Sequence, residues 1–359
     1  MIEEKMQVLL LTDSHFGIRR SSPLFQNHIL KFHRTALDYA RENGIRTIIH
    51  LGDFFDTRGS VSMTTLKAVK DMFDEYPEFE WHMIVGNHDT SFKNTLDANS
   101  VSLVFREYSD RIHIYDTPSI LKLEDKTTVE LIPWITKETE EDILNFIKKN
   151  SKKSKICMGH FEFINFEYIK GVTAKTGLDP AMISTNYELV LSGHYHGKSS
   201  IGNVHYLGTG TDFNWGDYGV KKYFHILDTA TNALKEVEYL EKLFHSLSYD
   251  EDITTPDSIK EYFKENVYTD KIVRVKIRNS KNSILFNQFI DALYETNPFS
   301  VDIQDERNKN EIDSYELNED ALVKSNFDII KDFVNELDNS DDLIDTMYEL
   351  YNYCETTEL

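Results

Sequence analysis

An α/β sandwich is the fold class this sequence predicts: a largely parallel sheet built from βαβ units, with strands of a second sheet beside it. Three observations predict it. Apolar runs of strand length alternate with segments of helical period through residues 7–89. Further short apolar runs between 111 and 134 read as strands of a second sheet. One arrangement also keeps returning, an apolar strand followed by glycine and then histidine or aspartate. In open α/β sheets such strand ends are where ligands bind.

The elements follow in order. "QVLLLTD" (7–13) reads as a buried strand ending in an acid. Phe25, Ile29, Phe32, Ala36 and Tyr39 fall at helical spacing within 25–43, and Gly44 breaks the pattern. "RTIIHLGD" (46–53) is a second strand, 64–76 a helix closed by Pro77, and "WHMIVGNHD" (81–89) a third strand. "RIHIY" (111–115) and the hairpin pair 119–134, turning at Glu124-Asp125-Lys126, are assigned to the second sheet. Residues 137–150 form a helix with acids at its start and lysines at its end, as the helix dipole favours. Strands at 154–160, 187–196, 202–208 and 221–229 follow.

The composition changes near 250. The expected division is 1–250 for the large domain, a linker over 251–258, a small strand–helix–strand domain over 260–312, and two acidic amphipathic helices within 316–354.

The net charge of -22 argues against a broad basic face gripping nucleic acid. The charge is uneven, however: residues 301–359 hold 18 acids against 4 bases. The rest is only mildly acidic, so a surface for DNA must be local, helped by metals, or supplied by a partner. Two cysteines, Cys157 and Cys354, do not make a disulfide framework and suit a reducing cytoplasm. The apolar run in "MIEEKMQVLLLTD" is too short for a signal peptide or a membrane span, so no membrane association is expected.

Five motifs lie at strand exits: "TDSHFG" with Asp13 and His15, "LGDFFD" with Asp53 and Asp56, "VGNHD" with Asn87, His88 and Asp89, "MGHFE" with His160, and "SGHYHG" with His194 and His196. Taken singly, an aspartate after a strand is ordinarily a turn or cap residue, and a histidine ordinarily surface or core. Together the motifs make a metal-ligand set. Histidine and carboxylate without cysteine suit manganese, iron or zinc in an open site. A shared aspartate can bridge two cations about 3.5–4 Å apart, the arrangement that clamps both oxygens of a phosphoryl transfer.

This ladder, in this order over 13–196, resembles the calcineurin-like metallophosphoesterases, and within them the SbcD/Mre11-type DNA repair nucleases. "GNHD…KNT", "LIPW", "GHFE" and "YLGTGTDFNWGD" resemble the T-even-like bacteriophage branch. The resemblance covers about residues 7–230. It implies a four-layer fold with two central mixed β-sheets flanked by helices, followed by a small capping domain and C-terminal helices. It implies two divalent cations, manganese first and magnesium as the alternative. Asp13, His15, Asp53 and His196 would hold the first; Asp53 would bridge; Asn87, His160 and His194 would complete the second. His194 and His196 would thus serve different ions, with an extended backbone turning both side chains the same way across Tyr195. His88 resembles the family's catalytic histidine. Asp56 stands where cellular members often carry histidine, and its expected role is to orient His88.

Cations just past the motifs are candidates for DNA contact: Arg19, Arg20, Arg58, Lys93 and Lys198, with Arg274, Lys276 and Arg278 on the strand "KIVRVKIR" of the small domain. Each also has a plain reading as a solvating surface charge. Phe16, Phe92, Phe161, Phe213 and Trp215 are aromatic candidates for stacking on an unpaired end.

Phe327, Ile330, Phe333, Val334 and Leu337, then Leu343, Met347 and Leu350, form two apolar stripes that need burial. By resemblance they would dock on the coiled-coil base of a Rad50/SbcC-like ABC-type ATPase. A homodimer is implied by the resemblance alone. The function expected is metal-dependent DNA exonuclease and endonuclease activity in repair, recombination and replication. The alternatives are a metallophosphatase or cyclic phosphodiesterase acting on small substrates, and a structural subunit with a vestigial site.

Overall fold

The structure, a computed structural model, describes residues 6–150, 153–169 and 171–307. Two six-stranded mixed sheets form its centre. The first runs β14 (Ala233–Tyr239), β13 (Lys222–Asp228), β1 (Gln7–Leu11), β2 (Thr47–His50), β3 (Glu80–Ile84), β4 (Ile112–Tyr115), with β1 to β4 parallel. The second runs β11 (Ser199–Ile201), β12 (Val204–Tyr206), β10 (Leu189–Gly193), β7 (Ile156–His160), β6 (Thr128–Ile132), β5 (Ser119–Lys122). A two-stranded ribbon, β8 (Glu167–Ile169) with β9 (Val172–Thr173), lies apart from both sheets in the pairing.

Strand period two explains the layering. Val8 and Leu10 point into a core shared with Leu131, Met158 and Leu191 of the second sheet. Leu9 and Leu11 point the other way, onto Ile29, Phe32 and Ala36 of helix Pro23–Glu42 and Phe73 of helix Met63–Glu75. The second sheet's outer face packs Cys157 and Val190 against Ile143 and Ile147 of helix Glu140–Asn150. The result is helix, sheet, sheet, helix, as expected. Among the described residues no helix is long and apolar enough to cross a membrane.

Three expectations change. "RIHIY" is β4, paired in parallel with β3, and so belongs to the first sheet. Local sequence does not say which sheet a strand joins; the crossover through 85–111, with its short helix Ser100–Val104, decides it. Residues 244–250 are β15 (Phe244–Asp250), which pairs in parallel with β16 (Ile272–Asn279), itself paired with β17 (Ser300–Asp305). Strand Phe244–Asp250, which the expected division at 250 placed with the large domain, thus belongs to the three-stranded sheet of the following segment. The expected linker 251–258 holds the start of helix Pro256–Glu265, where Thr255 Oγ1 accepts the Ser258 N–H at 3.1 Å. The two acidic helices expected within 316–354, including Phe327, Ile330, Phe333, Val334, Leu337, Leu343, Met347 and Leu350, lie outside the described residues.

Candidate metal centre

The motifs meet because β1, β2 and β3 are parallel in one sheet, β7 and β10 are parallel in the other, and the sheets stack. Their carboxyl ends present five loops to one place. Backbone bonds lock these loops together: Asp13 N–H donates to Gly52 O at 3.0 Å and His15 N–H to Asp53 O at 3.1 Å. Asp13, His15, Asp53 and His194 all take positive φ, at 48°, 48°, 54° and 89°. Such values in non-glycine residues store strain and gather at functional sites. The motif glycines make room for the crowding. A Cβ on Gly52, itself at φ 96°, would stand 2.4 Å from His160 Nδ1, and one on Gly193 would stand 2.1 Å from Thr12 Oγ1.

Two ligand clusters result. In the first, ligand atoms of Asp13, His15 and His196 lie within 4.8 Å of one another; in the second, those of Asp53, His160 and His194 do. Asn87 Oδ1 belongs to the second, 3.0 Å from both His160 Nε2 and His194 Nδ1. Asp53 reaches both clusters, with Oδ2 3.3 Å from His160 Nε2 and 3.8 Å from His15 Nε2. His194 and His196 thus go to different clusters. The means differs from expectation: at φ 89° His194 is not extended, and its backbone N–H turns in to donate to both Asp13 carboxylate oxygens at 3.0 and 3.1 Å.

The donor set fits divalent cations. His160 donates Nδ1–H to Leu51 O at 2.7 Å, which aims its Nε2 lone pair at Asn87 Oδ1 and Asp53 Oδ2. Acceptors facing each other at such distances repel unless a proton or a cation stands among them. The charges report the same demand. Burial opposes the charge on His160, yet Asp53 and Asp13 push its pKa up to about 9. Burial likewise opposes charge on His15, and the Asp56 and Asp53 carboxylates outweigh it and raise it. His194 is pushed down to about 3 by burial and by His160, and His196 falls well below its ordinary value for like reasons. The buried carboxylates thus favour positive charge at one histidine of each cluster, His15 in the first and His160 in the second.

His88 lies between the clusters, its ring nitrogen within 4.8 Å of ligand atoms of His15 and Asp53. Its Nδ1 is 2.7 Å from the backbone oxygen of Asp56, and its N–H donates to Asp53 Oδ1 at 2.8 Å. The expected partnership of Asp56 with His88 therefore runs through the Asp56 carbonyl. Its carboxylate turns instead to His15 Nδ1, at 3.2 Å. The Asp56 N–H is itself paired, with Phe16 O at 3.0 Å. Asp89 is wholly buried and ties loops together, accepting from Phe55 N–H and Gly86 N–H.

Several contributors were not singled out in the sequence. Ser14 Oγ lies 2.9 Å from His33 Nε2 and 2.7 Å from His50 Nε2, all three buried directly behind the Asp13–His15 loop. Trp134 sits 5.0 Å from the His194 ring. No motif marks the Ser14 contacts, because the histidines come from a helix and a neighbouring strand. Among the aromatic candidates, Phe16, Phe161 and Phe213 are core, with Phe213 edge-on to His15 and His196.

The basic candidates sort by their partners. Arg19, Arg20 and Lys93 are exposed; Arg58 is half-buried, with a buried Nη1 that has no hydrogen-bond partner among the described residues. Arg19 donates to Phe213 O at 3.3 Å. Lys198 pairs with Glu236, Arg274 with Asp302, and Lys276 and Arg278 both with Glu306. Arg274 also stacks 3.9 Å from the Trp215 ring centre.

A two-sheet sandwich with paired histidine–carboxylate clusters at its strand ends is the architecture of a metallophosphoesterase. The calcineurin-like phosphoesterase family model matches residues 6–198, more than half of the chain, and the chain belongs to that family. It is 32% identical over 228 residues to Exonuclease subunit 1 of Enterobacteria phage T4, a match spanning 63% of this chain and 66% of that protein, just under two thirds of the relative's length. Solved structures with partial likeness include an archaeal phosphodiesterase (TM-score 0.35, 15% identity, 65% of this chain and 100% of that one) and a dimetal phosphatase from Danio rerio (TM-score 0.42, 11% identity, 65% and 95%).

Proposed function

We propose that this chain hydrolyses DNA phosphodiesters with two divalent cations, manganese or magnesium, as the nuclease subunit of a Rad50/SbcC-like repair and recombination complex in the host cytoplasm. The observation that carries the proposal is the pair of ligand clusters sharing Asp53. The similarity to a phage exonuclease subunit favours a nucleic-acid substrate.

Asp13, His15, Asp53 and His196 would hold one cation; Asp53, Asn87, His160 and His194 the other. When bound, they supply charge neutralisation at the phosphate and activate water for in-line attack. Asn87, a neutral ligand, limits negative charge where the anionic phosphate must arrive. With Nδ1 fixed on the Asp56 carbonyl, His88 keeps Nε2 to stabilise the phosphate oxygens or to protonate the departing 3′ oxygen. Arg20, Arg58 and Lys93, which have no acidic partner among the described residues, are the cations best able to take the DNA backbone.

The test is degradation of end-labelled single- and double-stranded DNA with manganese or magnesium, with Asp53→Ala as control. Metal-dependent cleavage lost in the variant supports the proposal. Hydrolysis of small phosphoesters with DNA left intact overturns it. His88→Ala should slow turnover by about 10²-fold while both cations remain bound; loss of metal from that variant would remove its assigned role.

A further inference from the structure

Beside the two ligand clusters lies a cavity of about 730 Å³ that the chemistry so far does not use. It begins at His194 and His196 and continues past Tyr195 to Tyr168 of β8 and Tyr223 of β13. None of the aromatic residues with a candidate stacking role in the sequence lines it.

Its lining describes its occupant. The cavity and the candidate centre share His194 and His196, so a group in the cavity lies directly beside anything held at the centre. The two lysines on its lining carry no surplus charge: Lys198 pairs with Glu236 at 2.7 Å and Lys221 with Glu238 at 2.9 Å. Asp217 is likewise matched, by Lys222 at 2.6 Å, and Glu167 is the lining acid left without a cationic partner among the described residues. A second phosphate is therefore unwelcome, and a neutral group is favoured. Tyrosine rings make the surface suited to a flat one. Tyr168 is 36% exposed, and the half-buried Tyr223 carries the Lys198 ammonium 4.6 Å from its ring centre, which pins one side of the ring. The volume falls in the range that takes one nucleoside-sized ligand and is too small for stacked base pairs.

We infer that this cleft receives the nucleobase next to the scissile phosphate, stacked on Tyr168 and Tyr223, so that the enzyme acts on strand ends whose terminal base is unpaired. The inference rests on the nuclease reading above and deepens it. Duplex ends enter only after fraying, because a base still joined to its complement does not fit. The same chemistry would also admit the base of a free nucleotide, and the test separates the two sources.

The experiment compares two end-labelled single-stranded oligonucleotides, identical except that the terminal nucleotide of one is abasic. Both are tested with wild type, Tyr168→Ala and Tyr223→Ala in manganese. Wild type should favour the base-bearing end by about tenfold or more in kcat/KM, the scale of one base stacked on an aromatic ring. Each variant should bring that ratio towards one. Should Tyr223→Ala fail to fold, the more exposed Tyr168→Ala carries the test alone. A wild-type ratio near one, or a ratio untouched by both substitutions, overturns the inference and leaves the nuclease reading standing. A chromogenic pair, p-nitrophenyl thymidine 5′-phosphate and methyl p-nitrophenyl phosphate, supplies the other arm. If base preference appears there but not between the oligonucleotides, the cleft takes free nucleotides and the strand-end inference falls. If the small diesters are hydrolysed and neither oligonucleotide is cut, the nuclease reading itself fails.

Discussion

The two ligand clusters share Asp53 but orient their histidines by different means. In the second, His160 is oriented by a backbone carbonyl, Leu51 O at 2.7 Å, and Asn87 contributes a neutral oxygen. In the first, His15 Nδ1 faces a side chain, the partly exposed Asp56 carboxylate, as an ion pair at 3.2 Å without an aligned hydrogen bond, and Asp13 is gripped by the His194 N–H. A histidine held by the main chain is fixed by the fold. One held by a carboxylate depends on charge, and charge can be altered without moving the backbone. The second cluster should therefore be the rigid half of the centre and the first the tunable half.

The largest effect removes what the halves share. Asp53→Ala should abolish binding at both clusters and lower turnover by about 10⁴-fold or more, the scale of losing one member of a catalytic unit. Elemental analysis beside the nuclease assay checks it, and an Asp53→Ala protein that kept one full equivalent of metal would show that the clusters are independent. Next come the histidines on either side of Tyr195. His196→Ala and His194→Ala should each lose one cation and keep the other, with activity down by about 10³-fold, since each ion's charge stabilisation is worth several kcal/mol. Titration with manganese followed by paramagnetic resonance counts the sites; loss of both ions from either variant would dissolve the distinction between the clusters.

Much of this was legible because strand, glycine and ligand are adjacent in the chain. Gly52 and Gly193 stand beside Asp53 and His194 since nothing larger fits where the loops meet. Which loop joins which cluster is another matter. Spacing alone does not separate His194 from His196, and the division came from resemblance to a family. Contacts made across the sequence were silent: Ser14 meets His33 and His50 only once the helix and β2 lie against β1. The Asp56 carbonyl was invisible too, because sequence names side chains and not the direction of a backbone oxygen. The errors of fold have the same origin. β4 carries no mark of its sheet, and β15 joins a sheet whose other strands lie beyond a helix. By contrast the start of helix Pro256–Glu265 did carry a signal, Thr-Pro-Asp-Ser, a cap followed by proline.

A smaller change sharpens the contrast within the first cluster. Asp56→Asn leaves the backbone carbonyl on His88 in place and removes the negative charge facing His15. Manganese affinity at the first cluster should fall by about 10–100-fold, as when an outer partner of a ligand is lost, while the second cluster holds its ion as before. Calorimetric titration resolving two sites would read this directly. Equal weakening of both would mean that the Asp56 charge acts on the whole centre rather than through His15.

The mildest probe is pH, applied to the metal-free protein. His160 ordinarily titrates near 6.5 and is raised to about 9 in the fold, against the cost of burial, by Asp53 and Asp13. The folded state therefore holds this proton more tightly than the unfolded chain does. The stability it contributes is complete below 6.5 and is lost as pH climbs through 9. His15 shifts in the same direction. Asp13 and Asp89, each lifted to about 6 by burial, act lower down, costing stability as pH rises from 3.8 to 6. Between 6.5 and 9 the histidines govern, and the metal-free melting temperature should drop by about 5 °C. Saturating manganese should flatten or reverse that slope, because the cation binds neutral imidazole and gains on the proton as pH rises. Melting curves with and without metal that ran parallel from 6.5 to 9 would mean that protons and cations do not compete for the same nitrogens, and the two clusters would have to be something other than metal sites.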